Sequence, residues 1–228
     1  MSRREEVTYR ANGTRDIDLR VAHILERYSE GYYPYYDRKI DKFYWDREGH
    51  RTIVELTQSA STIALRELRK QRVKFEVHGN RDFHGLLSLL ADESIRAETW
   101  VKGKVIEVYR VLHGSGRVHS IEAYHGGKLA GGVLVVAMPG MYAAETMVSA
   151  VRGASSAALY TLVASAAQLG VGMLDVQVKH AAGAPSQKLK ERTMPLTEYL
   201  ALLDTLCTAP LPRPPDRLGV HTVPRAMP

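Results

Sequence analysis

The 228-residue sequence predicts an α+β fold, and three observations carry that expectation. A period-two stretch broken by glycine turns runs from 117 to 138, an alanine- and serine-rich helix follows over 153–169, and an apolar strand comes next at 171–178. Helix-period segments flank all three. A helix that crosses between strands of one sheet is the arrangement this order describes. Charged residues make up 25% and apolar residues 45%, the balance of a globular chain.

Along the chain, Ile17, Leu19, Val21, Ala22, Ile24 and Leu25 mark one face of a helix over 15–31 that Gly31 closes. The tyrosine-rich stretch GYYPYYDRKIDKFYW follows. Thr57 to Lys74 reads as a second helix, with Ile63, Leu65 and Leu68 apolar and Arg66, Arg69, Lys70, Arg72 and Lys74 basic. Leu86, Leu87, Leu89 and Leu90 support a third over 82–91, and Val101 to Leu112 a fourth that stops at His113-Gly114. Arg117–Tyr124, the turn His125–Lys128 and Leu129–Met138 form a hairpin. Met141–Met147 is a short extended piece. On the strand at 171–178, alternation puts Met173, Asp175 and Gln177 on one face. Thr197–Leu206 is the last helix, and from Pro210 the prolines indicate an extended, poorly ordered end.

The expected division is a small N-terminal domain over 1–76, a main domain over 77–209 and a proline-rich tail over 210–228. No apolar run approaches the roughly 20 residues that span a bilayer, and MSRREEVTYR lacks the apolar stretch of a secretory signal, so the cytoplasm is the expected location. Cys207 is the only cysteine, which excludes an intramolecular disulfide and a thiolate zinc cluster; no metal site is expected. A net charge of +6 points towards a partner that carries phosphates.

Asp175 and Gln177 could together grip and deprotonate an amine, or could be the wet side of an edge strand. Glu145, among small apolar neighbours, reads either as a residue near a helix start or as a holder of an ammonium group. His119, Ser120 and Glu122 suggest a hydrolase, but alternation turns His119 away from the other two, so they read as scaffold. Trp45 and Trp100, with Tyr32, Tyr33, Tyr35, Tyr36 and Tyr44, offer rings on which an unpaired base can stack. The basic stripe from Arg66 to Lys74 is a solvated helix face or a track for a phosphate backbone.

Taken in order, Thr99-Trp100, LHGSGRVHSIEAY, Leu129–Gly132, Ala144–Met147, Ala154–Ser156 and LDVQ (174–177) resemble the leucyl/phenylalanyl-tRNA–protein transferase family over residues 83–180. Upstream, GYYPYYD and Trp45 through Arg51 resemble it more faintly. The resemblance implies a GNAT-type acyltransferase domain behind a small N-terminal domain. It also implies transfer of an apolar amino acid from aminoacyl-tRNA to a protein's N-terminal residue, which marks that protein for degradation. By position it makes Asp175 and Gln177 the pair that handles the acceptor's amino proton and Glu145 the carboxylate beside the aminoacyl group. Trp45 and Trp100 become neighbours of the terminal adenosine, and Val133, Tyr142, Leu159, Leu162 and Leu174 the lining of the apolar side-chain pocket. Arg66, Arg69, Lys70, Arg72 and Lys74 are the expected tRNA contacts. Aminoacyl-tRNA is then a co-substrate, no other cofactor is required, and the chain is expected to be a monomer acting on protein or peptide N-termini.

Leu134-Val135 stands where the family has Tyr-Gly, Ala144 and Thr146 where it has Gly and Ser, Val148 where it has Phe and Ser156 where it has Lys. Two other readings therefore stand beside the first: transfer to a small molecule or peptide, and a non-catalytic binder of aminoacyl-tRNA or N-termini.

Overall fold

The computed structural model of the chain describes residues 3–6, 20–177 and 184–218. In order, the elements are β1 (Arg3–Glu6), α1 (Val21–Ser29), β2 (Tyr33–Asp37), β3 (Lys42–Arg47), β4 (His50–Glu55), α2 (Gln58–Lys70), β5 (Glu76–Gly79), α3 (Phe83–Ala91) and α4 (Lys104–Gly114). They continue with β6 (Val118–His125), β7 (Lys128–Met138), β8 (Met141–Ser149), α5 (Ala154–Ala164), α6 (Ala166–Leu169), β9 (Met173–Asp175), β10 (Arg192–Pro195) and α7 (Leu196–Leu206).

Seven strands form one sheet in the order β10-β4-β9-β8-β7-β6-β5, and β1, β3 and β2 form a second. β6, β7 and β8 are an antiparallel meander, while β9 returns parallel to β8 after α5. The chain is thus α+β, with the expected helix crossing between neighbouring strands. β4 comes from before residue 76 yet lies between β9 and β10, so a division at that residue cuts through the main sheet.

β7 shows why this sheet sits in the middle. Its run of apolar residues has no polar face: Leu134, Val136 and Met138 join one buried cluster, Val133, Val135 and Ala137 the other. Residues of α1, α3 and α4 fill the first cluster, and residues of α2 and α5 fill the second. The close approach of α5 requires glycine at 131: a Cβ there would lie 2.9 Å from the Cβ of Ala154 and 2.3 Å from the carbonyl of Val148.

The carboxylate of Asp82 caps α3 by accepting the Gly85 N–H at 2.8 Å. Asp82→Ala is expected to cost about 1 kcal/mol, read as a lower urea midpoint with an unchanged slope. Ser120 and Glu122 do share a face: the Ser120 hydroxyl donates to Glu122 at 2.5 Å, and Glu122 also accepts the backbone N–H groups of Arg81 and Asp82. His119 faces Asn80 instead. These groups tie β6 to the start of α3, which is scaffolding.

Two further expectations change. The second helix ends at Lys70, so Arg72 and Lys74 lie on the connection to β5 and do not extend the face of α2. The proline-rich end is not loose where it is described: the Arg213 N–H donates to Leu169 O at 2.7 Å, the Tyr142 hydroxyl to Arg213 O at 2.7 Å, and Pro212 and Pro215 are buried. Residues 219–228 of that segment lie outside the described residues.

Candidate active site

A cavity of about 530 Å³ opens beside the middle of β8 and the end of β9. Tyr33 and Tyr35 of β2, with Arg96 and Trp100 from the α3–α4 connection, form one wall; Ala184, Pro185 and Ser186 form another; Ala144 to Met147, Val176 and Gln177 form the floor.

Four consecutive residues of a strand cannot all face one cavity if side chains alternate. The ladder explains the exception. Leu134 pairs with Thr146 and Val135 with Ala144, which leaves Glu145 as the extra residue of a bulge. The bulge turns Glu145 to the cavity while keeping it only 5% exposed. Three donors meet it there: the Tyr28 hydroxyl at 2.9 Å and the Tyr109 hydroxyl at 3.0 Å on Oε2, and the Gln177 amide at 3.0 Å on Oε1. A carboxylate has about four acceptor positions, so one remains.

Burial lifts the Glu145 carboxyl to about 7, against the opposing pull of the two tyrosine hydroxyls and of Arg51. The same burial, then the charge of Glu145, holds Tyr28 and Tyr109 far above the usual phenol range, so both remain donors at neutral pH. A carboxyl that changes state near pH 7, at the edge of a cavity, is suited to take and return a proton.

Asp175 lies next to this network but is not part of the cavity lining. It is fully buried, and its oxygens are already engaged: Arg51 Nη2 donates to Oδ2 at 2.5 Å, the Tyr199 hydroxyl to Oδ2 at 2.6 Å, and the Gln177 N–H to Oδ1 at 2.6 Å. Burial alone would lower the Arg51 guanidinium; Asp175 and Tyr199 outweigh it and raise it. Strand alternation does not bring Asp175 and Gln177 together, because β9 ends at Asp175 and Gln177 takes a left-handed backbone with φ +66°. The hydrogen bond from Gln177 N–H back to Asp175 closes that turn, and the turn sends the Gln177 amide to Glu145.

The sequence-predicted residues divide accordingly. Glu145, Gln177 and Trp100 line the cavity. Glu145 lies within β8, not near a helix start. Trp45 is packed in the core, edge-on to Tyr28 at 6.3 Å and to Phe43 at 5.6 Å, so it presents no stacking face in the cavity. Trp100 is half-buried and inclined at 32° to Tyr35, 6.1 Å between centroids. Val133, Tyr142, Leu159, Leu162 and Leu174 are closed core between the sheet and α5, and none of them lines the cavity. In the basic stripe, Lys70 and Arg66 both pair with Glu67, at 2.7 and 3.8 Å, and both side chains remain largely exposed to solvent.

Tyr28, Arg51, Tyr109, Tyr199 and Arg96 escape sequence reasoning as site residues. Tyr28 and Tyr109 fall inside segments that read only as helices; no local signal marks the carboxylate that both meet.

The profile of the leucyl/phenylalanyl-tRNA protein transferase family matches residues 54–204. The leucyl/phenylalanyl-tRNA–protein transferase of Prosthecochloris aestuarii is 32% identical over 161 residues, covering 70% of this chain and 82% of its own. That of Chlorobium limicola is 31% identical over 193 residues, covering 84% and 97%. Among solved structures, a GCN5-related N-acetyltransferase from Kribbella flavida is similar at 18% identity with a TM-score of 0.37, covering 77% of this chain and 40% of that one.

Proposed function

The chain belongs to the leucyl/phenylalanyl-tRNA protein transferase family, and from that membership and the cavity we infer that it moves an amino acid from aminoacyl-tRNA to the N-terminal residue of a protein. One observation supports the assignment of the site most directly. A buried carboxyl that titrates near neutrality and a pair of flat rings share one cavity of substrate size.

The donor's ester is already activated. The acceptor's α-amine, with an ordinary pKa around 7.7–8.0, attacks the ester carbonyl. A C–N bond forms, the ester C–O bond breaks, and the ribose hydroxyl leaves. Glu145 takes the proton that the ammonium intermediate must lose and returns one to the departing ribose oxygen, so protons balance within the site. Holding both substrates in line supplies roughly 7–11 kcal/mol of the barrier reduction. Gln177 orients Glu145, and Asp175, held by Arg51 and Tyr199, is a positioning residue that fixes Gln177. Ala144, Met147, Val176 and Pro185 give the aminoacyl side chain an apolar surface. The proposal needs no cofactor beyond aminoacyl-tRNA and takes the chain to act as a cytoplasmic monomer; among the described residues no helix is long and apolar enough to cross a membrane.

Trp100 and Tyr35 would stack the terminal adenosine. Trp100→Ala is expected to raise KM for charged tRNA by roughly 5- to 150-fold, since one base–ring stack is worth about 1–3 kcal/mol, with a smaller loss of stability than a fully buried ring would show, because Trp100 only partly packs against the core. Trp45→Ala should do the reverse, losing about 3–5 kcal/mol of stability at near-normal KM in the folded fraction. Steady-state kinetics and urea unfolding on the two variants distinguish ligand contact from core.

The function itself is tested by incubating the protein with total charged tRNA and peptides beginning with Arg, Lys, Asp or Glu, then weighing the products. A peptide heavier by one leucyl or phenylalanyl residue is expected; no mass gain on any peptide would refute the assignment.

A further inference from the structure

Among the described residues, the Arg96 guanidinium meets no carboxylate. Of the other described arginines that lie partly or wholly buried, Arg27 pairs with Glu30 and Arg51 with Asp175, while Arg47 donates to the Glu30 carbonyl and lies over the Tyr32 ring, outside the cavity. Arg96 is half-buried, burial pulls its guanidinium down, and its Nη1 donates only to the neutral hydroxyl of Thr146 at 2.6 Å. It is also the single cation lining the cavity among the described residues. An arginine keeps its charge in such a place, and its planar fork suits an anion that presents two oxygens.

The segment that carries it is held firmly. Arg38 donates to Ala97 O and pairs with Glu93 at 3.0 Å, Lys102 pairs with Glu93, and the Thr99 hydroxyl donates to Leu90 O at 2.6 Å. The Thr99 N–H donates to Arg96 O at 3.0 Å, closing the turn that joins Arg96 to Trp100. Arg96 and Trp100 are therefore presented together by one short, braced loop, with Tyr35 of β2 facing Trp100.

We propose that Arg96 binds the phosphate on the 5′ side of the donor's terminal nucleoside while Trp100 and Tyr35 stack its base. The proposal rests on the aminoacyl-tRNA reading above and extends it to a residue that neither the basic stripe nor the aromatic motifs point to. A nucleotide joins base and phosphate through one ribose, which matches a stacking ring and a guanidinium four residues apart on the same turn. The other anion that enters this reaction is the side-chain carboxylate of an acidic acceptor; nothing places such a side chain against the α3–α4 loop.

The test compares wild type with Arg96→Gln, using donors that differ by that phosphate alone: leucyl-adenosine and leucyl-adenosine 5′-monophosphate, both esterified on the ribose. A peptide with an uncharged N-terminal side chain and one beginning with Asp serve as acceptors. The expected result is a KM about tenfold or more higher for the phosphorylated donor in the variant, as for a lost charge-assisted hydrogen bond. KM for the unphosphorylated donor should stay within about twofold, kcat should hold, and Arg96→Lys should recover part of the loss. An equal effect on both donors would overturn the proposal, as would an effect confined to the Asp acceptor, which would assign Arg96 to the acceptor side. Transfer by wild type with no preference for the phosphate overturns it while leaving the function intact; no transfer by wild type from either donor or from charged tRNA overturns both.

Discussion

Asp175→Ala is expected to abolish transfer and also to lower the stability of the folded chain by about 3–5 kcal/mol, the usual cost of leaving one partner of a buried ion pair alone. The reason lies in what Asp175 touches. Arg51 is 1% exposed, its Nε and Nη1 already lack a hydrogen-bond partner, and Asp175 is the carboxylate that faces it. Without Asp175 the guanidinium is left buried beside the rings of Tyr33 and Tyr199. The same change removes the acceptor that closes the left-handed turn at Gln177. Tyr199→Phe makes a graded comparison: it removes one hydrogen bond to a charged group and should cost about 1.5–3 kcal/mol, with transfer weakened and not lost. Urea unfolding with parallel transfer assays separates the two effects. An Asp175→Ala variant as stable as wild type would contradict the anchoring role.

Glu145→Gln should reduce kcat/KM by about 10²- to 10⁴-fold, the range spanned by general acid–base groups. It should also change how stability depends on pH, in a direction set by the raised carboxyl. An unfolded glutamate titrates near 4.3, and in the fold Glu145 holds its proton up to about 7. The folded state therefore binds more protons between those values. Its advantage is full below about pH 4 and is lost as pH rises through 7. An amide at this position carries no such dependence, so the stability of the Glu145→Gln variant relative to wild type should improve between about pH 5 and 8. Part of that gain is offset, because the amide nitrogen of the new side chain must replace an acceptor oxygen facing either the Gln177 amide or the Tyr28 and Tyr109 hydroxyls, all of which donate to Glu145. Thermal midpoints at several pH values report the slope, which the constant offset does not affect.

Much of the scaffold is legible in the sequence for a plain reason: its elements follow one period each. The hairpin of β6 and β7, the capped α3 and the crossing helix α5 fall within a few residues of expectation. β2, β3, β4 and β10 are not legible as strands. They are four to six residues long, and proline, charge and tyrosine interrupt any alternation, as in YPYYD and HRTIVE. Their pairing is decided by partners far away in sequence; β4 sits beside β9, although a large part of the chain separates the two.

The site divides in the same way. Glu145, Gln177 and Trp100 can be found from motifs because each lies inside a recognisable short string. What each does cannot be read there. A one-residue bulge in β8 turns Glu145, a positive φ turns Gln177, and Tyr28 reaches Glu145 from 117 residues upstream. Trp45 and the five apolar positions show the converse. A motif identifies the residue type and order, and packing decides whether the ring or alkyl group meets substrate or core.

The central claim is that Glu145 is the proton acceptor of the transfer step. The pH dependence of kcat/KM, for transfer from leucyl-tRNA to an accepted peptide, tests it most directly. Two groups must be deprotonated in wild type, the acceptor amine near about 8 and Glu145 at about 7, so log kcat/KM should fall with a slope approaching two below about pH 6. In Glu145→Gln only the amine limb should remain, with a slope of about one. A wild-type slope of about one throughout, unchanged in the variant, would contradict the account.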